Sequence, residues 1–281
     1  MELPYFFFFT YIHLLRGLFF LRSVHKKVWI SGVSIFLLLI RISFLGYVLP
    51  WGQISFWAVA VITNLFSIVP IIGRNLVNWI WGGFSVGAPT LTRFYSLHFL
   101  FPFILTALVV LHLFFLHQQG SRNSLGVRRN LDKIQFHPYF STKDLYFIGL
   151  VFRIFIIISF FNPFLLGDSV NNVPANPIQT PTHIQPEWYF LPSYAILRSL
   201  PRKTAGVIAL ILSVRIFYIL PIFNFKISTK FNFYRNLNFW IFLRSFLFLI
   251  KIGSLPAEEP YILLRKVGSL IYFSRILVLN L

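Results

Sequence analysis

Residues 96–115 read SLHFLFPFILTALVVLHLFF, an apolar run as long as the ~20 residues a helix needs to cross the hydrocarbon core of a bilayer. Runs of this kind recur at about 4–21, 28–49, 94–116, 145–166, 205–224, 236–252 and 261–281. Backbone exposed to lipid must satisfy its own polar groups, and a helix does so within one segment. The expected fold is therefore an all-α integral membrane protein of about seven transmembrane helices, the sixth run being the shortest. Composition agrees, because 57% of the residues are hydrophobic and only 11% are charged, outside the range of soluble domains. No internal repeat and no soluble domain is visible.

The net charge of +18 does not describe a nucleic-acid surface, since the basic residues lie mainly in the loops between spans. They set topology instead. Arg22, Lys26 and Lys27 follow the first span; Arg122, Arg128, Arg129, Lys133 and Lys143 follow the third; Lys226, Lys230 and Arg235 follow the fifth. The alternate loops carry fewer, chiefly Arg74, Arg198, Arg202, Lys203 and Lys251. By the positive-inside rule the first set faces the side of synthesis, called N below, and the second the opposite side, P. The chain has no cysteine, so disulfides, thiolate metal sites and covalent c-type haem are excluded through these residues. The start MELPYFFFF lacks the basic region and cleavage site of a signal peptide, and 36 phenylalanines hint at an AT-rich, organellar coding sequence.

An ionisable side chain inside a span is costly and usually has a dedicated partner. His98 and His112 are fourteen residues apart, which puts them on nearly one helix face about 21 Å apart along the axis. Each alone reads equally as a hydrogen bonder between helices. Gly32 and Gly46 in the preceding span share the spacing of fourteen; glycines at helical spacing let helices approach closely, and they also make room for a flat group at two depths. Neutral imidazole is a strong axial ligand of haem iron, and each iron then needs a second histidine from a facing helix. His13 matches His112 in depth on the N side; nothing in the chain matches His98. A transporter or channel relaying protons through the histidines, and an unrelated di-haem quinone-linked cytochrome, remain alternatives.

The chain resembles the cytochrome b family, the haem-bearing membrane subunit of respiratory quinol:cytochrome c oxidoreductase (complex III). The resemblance rests on GYVLPWGQISFWAVAVITNLFS (46–67), GGFSVGAPTLTRFYSLHFLFPF (82–103), FLHQQGSRNSLG (115–126), NPIQTPTHIQPEWYFLPSYAILRSLPRK (176–203) and PAEEPYI (256–262), in the family's order. It covers nearly the whole chain and weakens through 225–250. The family's first helix and the opening turn of its second have no counterpart, so the four-helix haem-binding bundle is incomplete in this chain. The parts expected are 1–145, the haem-binding helices; 146–203, the fourth span and the PEWY loop; and 204–281, the C-terminal helices.

The resemblance implies a Q-cycle, in which quinol is oxidised on the P side and quinone reduced on the N side through two b haems, coupled to proton translocation. It implies His13, His98 and His112 as iron ligands, Gly32 and Gly46 as haem contacts, and Arg16 and Arg93 as partners of haem propionates, for which arginine's bidentate geometry suits; snorkelling to headgroups is the plain alternative. Glu187 and Tyr189 of PEWY would act on quinol, Glu187 accepting a proton because an apolar setting raises a carboxyl's pKa. Pro186, Trp51 and Gly52 would wall that pocket, and His117, Asp132 and Lys133 would serve quinone reduction. His183 is at most a pocket-wall residue, and Gln118 stands where the family usually has an acid. Arg41, Arg215 and Arg244 fall where the family is usually apolar. The implied partners are the Rieske iron-sulfur protein, a cytochrome c-type subunit, other complex III subunits, a second complex as dimer, and the lipid of the mitochondrial inner membrane. The second ligand opposite His98 is expected from an N-terminal cytochrome b fragment or extension outside this chain.

Overall fold

The computed structural model describes residues 2–121, 133–165, 167–182, 184–222 and 233–278, with side chains from residue 4 onward. Arg122, Arg128, Arg129, Asp132, His183, Lys226 and Lys230 lie outside the described residues. Ten α-helices follow in order: α1 (Glu2–Phe19), α2 (Lys26–Val48), α3 (Gln53–Asn64), α4 (Gly73–Trp81), α5 (Ala88–Gln119), α6 (Ser141–Phe161), α7 (Leu191–Leu197), α8 (Lys203–Arg215), α9 (Phe233–Gly253) and α10 (Tyr261–Val278). Among the described residues four helical stretches are long and apolar enough to cross a membrane: Lys26–Val48, Ala88–Gln119, Phe136–Phe161 and Phe233–Gly253. The protein is an all-helical membrane bundle, and each of the seven expected runs contains helix.

Local chemistry sets the helix limits. α2 stops two residues short of Pro50, whose ring cannot continue an undisturbed helix. α5 starts where the Thr90 hydroxyl accepts from the Gly87 amide (3.2 Å) and donates to the Trp81 carbonyl (2.8 Å); it runs through Pro102 to Gly120. The fifth expected span is not one helix. α8 ends at Arg215 and gives way to single turns at Ile216–Tyr218 and Leu220–Ile222, consistent with Pro221 removing a backbone donor.

Two sub-assemblies share the core. α2 lies along α5, while α9 and α10 pack together with α7 wedged against α9 and α8. Trp29, Val33, Leu18, Phe239, Phe242, Leu249, Tyr272 and Ile276 form the larger apolar cluster between them. Arg265 is 0% exposed and closes the end of α9, donating from Nη2 to the carbonyls of Leu255 (2.6 Å) and Pro256 (2.7 Å); a cation suits a helix C-terminus. α6 differs from the rest. Among the described residues its main contact is with the Phe136–Phe140 turn that precedes it, and none of its residues is buried.

Candidate functional site

α2 and α5 lie side by side so that the two histidines of α5 reach the two glycines of α2. A Cβ built on Gly32 would lie 3.1 Å from Cε1 of His112, and one on Gly46 would overlap the His98 ring. Each glycine thus makes room for the imidazole opposite it. Both rings are anchored through Nδ1. That of His98 lies 2.9 Å from the Ile42 carbonyl, which can only accept, so Nδ1 carries the proton. That of His112 lies 2.8 Å from the Ser31 hydroxyl, whose single hydrogen goes to the Val28 carbonyl at 2.9 Å; the hydroxyl therefore accepts, and Nδ1 again carries the proton. Each Nε2 is left with a bare lone pair, the state a metal ligand requires.

His112 lines a cavity of 580 Å³ on the N side, whose wall also holds His13 and, one turn further along α1, Arg16. The Arg16 guanidinium sits 5.8 Å over the Phe20 ring. Arg22, His25, Gly120, Ser121 and Asp144 complete the polar part of the wall. Asp144, in the first turn of α6, was missed by the sequence reading, which took its acid from Asp132. His117 and Lys133 are both exposed, and neither lines this cavity. Arg93, near the P-side end of α5, donates to the Trp79 carbonyl at the end of α4.

On the P side the Pro186 and Tyr189 side chains reach an apolar cavity of 280 Å³ bounded by Phe36, Ile40, Val61 and Ile62. Tyr189 is 2% exposed; its ring stacks on Phe7 at 4.3 Å, and its carbonyl accepts from the Tyr11 hydroxyl at 2.6 Å. Burial pushes the Tyr189 phenol up from its ordinary value. Glu187 is half-buried beside Tyr47, whose hydroxyl interacts with the carboxyl without completing a well-formed hydrogen bond. Burial, above all, holds the Glu187 carboxyl above the usual carboxylate range. Trp51 and Gly52 stand beside this cavity rather than in its wall: Trp51 packs on Phe56 at 5.7 Å, and Gly52 pairs with Pro174. Gln53 ties the two P-side loops together, donating to the Gln179 carbonyl (3.1 Å) and accepting from the Asn176 amide (2.9 Å). Arg41 borders the apolar cavity; nothing in the structure explains Arg215 or Arg244.

Two family models match the chain: cytochrome b/b6/petB over residues 3–120, and the C-terminal part of cytochrome b with b6/petD over residues 174–273. A solved structure described as a hyperthermophilic respiratory Complex III contains a chain 30% identical, with a TM-score of 0.89 over 99% of this chain and 75% of that one. The chain belongs to the cytochrome b family. Members of this family hold haem b, and the residues present fit that group: two proton-free Nε2 atoms on α5 and His13, which lines the same N-side cavity as His112. The chain is accordingly part of a redox membrane complex, and α6 falls between the two segments matched to cytochrome b.

Proposed function

We propose that the chain is the cytochrome b subunit of a quinol:cytochrome c oxidoreductase, oxidising quinol on the P side and reducing quinone on the N side with proton translocation, as in a Q-cycle. The observation that carries the reading is the matched pair of histidines on α5, each with Nδ1 committed to a fixed acceptor and Nε2 bare. Two b haems would be held there, one by His13 and His112 and one by His98 with a ligand from outside the described residues; bound, they supply one-electron transfer across the membrane. Gly32 and Gly46 position the rings, and Arg16 provides a cation in the wall of the same cavity as the N-side pair. A proton relay between the histidines is disfavoured, because fixed Nδ1 partners leave the rings no freedom to turn.

Tyr189 and Pro186 shape the P-side pocket, where Glu187 accepts a proton from quinol. On the N side Asp144 is the carboxyl placed in the cavity wall, and His117 and Lys133, both exposed, exchange protons with water. The partners in this reading are the Rieske protein, a cytochrome c-type subunit and a second complex, in the mitochondrial inner membrane, a setting supported by the phenylalanine-rich sequence.

The test is Glu187→Gln in the intact complex. Because burial raises this carboxyl, quinol oxidation in the unaltered protein rises as pH passes upward through that raised value and the acceptor ionises. The variant should be slower by about 10², lose this pH dependence and keep its b-type absorption. Haem loss with unchanged turnover per remaining haem would refute the assignment.

A further inference from the structure

α6 carries an arginine where a lipid-facing helix should have none. Arg153 lies twelve residues from Ser141 and eight from Phe161, about 18 and 12 Å along the axis, near the middle of a ~30 Å hydrocarbon core. Its side chain is exposed, with no hydrogen-bond or ion-pair partner among the described residues. Arginine is among the costliest side chains at a helix centre, and at this depth a three-methylene stem does not bring the guanidinium to either headgroup layer. A counter-charge at this depth would offset that cost.

The described residues of this chain do not hold one. Of its seven acids, Asp132 lies outside the described residues, and Glu2, Asp144, Asp168, Glu187, Glu258 and Glu259 all lie at a helix end or in a loop. The same elements in a second copy supply no mid-helix acid either. The face around Arg153 points to the form of the missing group. Gly149, one turn earlier on the same face, has nothing within 4 Å of the position a Cβ would take, and small residues let membrane helices approach closely. Tyr146, Leu150 and Ile157 flank it as exposed apolar surface.

We propose that this face of α6 receives a transmembrane helix from outside these 281 residues, carrying an aspartate or glutamate at mid-membrane depth. Its backbone crosses over Gly149 and its carboxylate pairs with Arg153 in the bidentate geometry that guanidinium favours. The inference stands on α6 alone and does not rest on the redox reading, on which the b-type absorption of the same preparation reports separately.

A photoreactive amino acid replacing Leu150, irradiated in the purified complex, should cross-link to an apolar segment of another subunit with Asp or Glu within one helical turn of the adduct. An adduct to lipid or to a second copy of this chain, a segment lacking an acid, or the absence of any protein adduct overturns the proposal. In parallel, Arg153→Glu should lower the amount of that subunit retained in mild detergent at least tenfold, while Arg153→Lys retains it. Full retention in the Arg153→Glu complex overturns the pairing. If that variant does not accumulate, the cross-link, made with Arg153 intact, still decides.

Discussion

His98 and His112 occupy equivalent positions on one helix, fourteen residues apart and each opposite a glycine, yet their rings are held by different means. His98 hydrogen-bonds to a backbone carbonyl, Ile42. His112 bonds to a side chain, the Ser31 hydroxyl, which in turn leans on Val28. The first anchor survives any substitution that leaves α2 helical; the second depends on one oxygen. Steric tolerance runs the other way, since the ring of His98 is pressed harder against its glycine than that of His112. One site is robust in its hydrogen bond and intolerant of volume, the other the reverse.

The largest effect expected is loss of a whole cofactor. His112→Leu should abolish the N-side b signal in a redox titration while leaving the other, and His13→Leu should do the same, because both side chains wall one cavity. An intact N-side signal in either variant would break the pairing. Next in size, Gly46→Ala should destabilise the purified complex by about 1–3 kcal/mol, the usual cost of overpacking, and Gly32→Ala by less. Equal shifts in thermal midpoint would erase the steric half of the comparison. The smallest effect is Ser31→Ala, which strips His112 of its acceptor and should weaken haem retention about tenfold, in the range typical of lost outer-sphere partners. Ser31→Thr, which keeps a hydroxyl, should restore it, and the P-side signal should not change in either.

The histidine pair was legible in the sequence because helical period and hydropathy fix both face and depth, and the glycine spacing repeats the message. The two short helices Gln53–Asn64 and Gly73–Trp81 lie between the second and third apolar runs, in a stretch that hydropathy left unassigned. Asp144 was not legible: it sits in the first turn of a span like any capping acid, and only the folding of Ser121, Phe140 and His25 around one cavity brings it in. The break after Arg215 was hidden by an unbroken apolar run, since hydropathy records burial and not hydrogen-bond pattern. For the same reason nothing in its composition separates α6, which buries none of its residues, from α2, nearly half of whose span is buried. Trp51 and Gly52 were assigned to a pocket wall by resemblance; in the structure Trp51 packs on Phe56 and Gly52 pairs with Pro174.

The Gln53 amide, which bridges the two P-side loops, bears on chain statistics more than on bond energy. It pins the long connection between Phe161 and Leu191 near its midpoint. Halving a loop recovers only about 0.6 kcal/mol of closure entropy, too little to matter for whether the protein folds. It matters for where the second half can wander. A tether at residues 176–179 shortens the free arc leading to Glu187, and the positional spread of a chain end narrows with the root of the arc's length. The carboxyl is thus confined to a small set of positions, and in the proposed quinol reaction that is worth more to proton transfer than any strengthening of the loop.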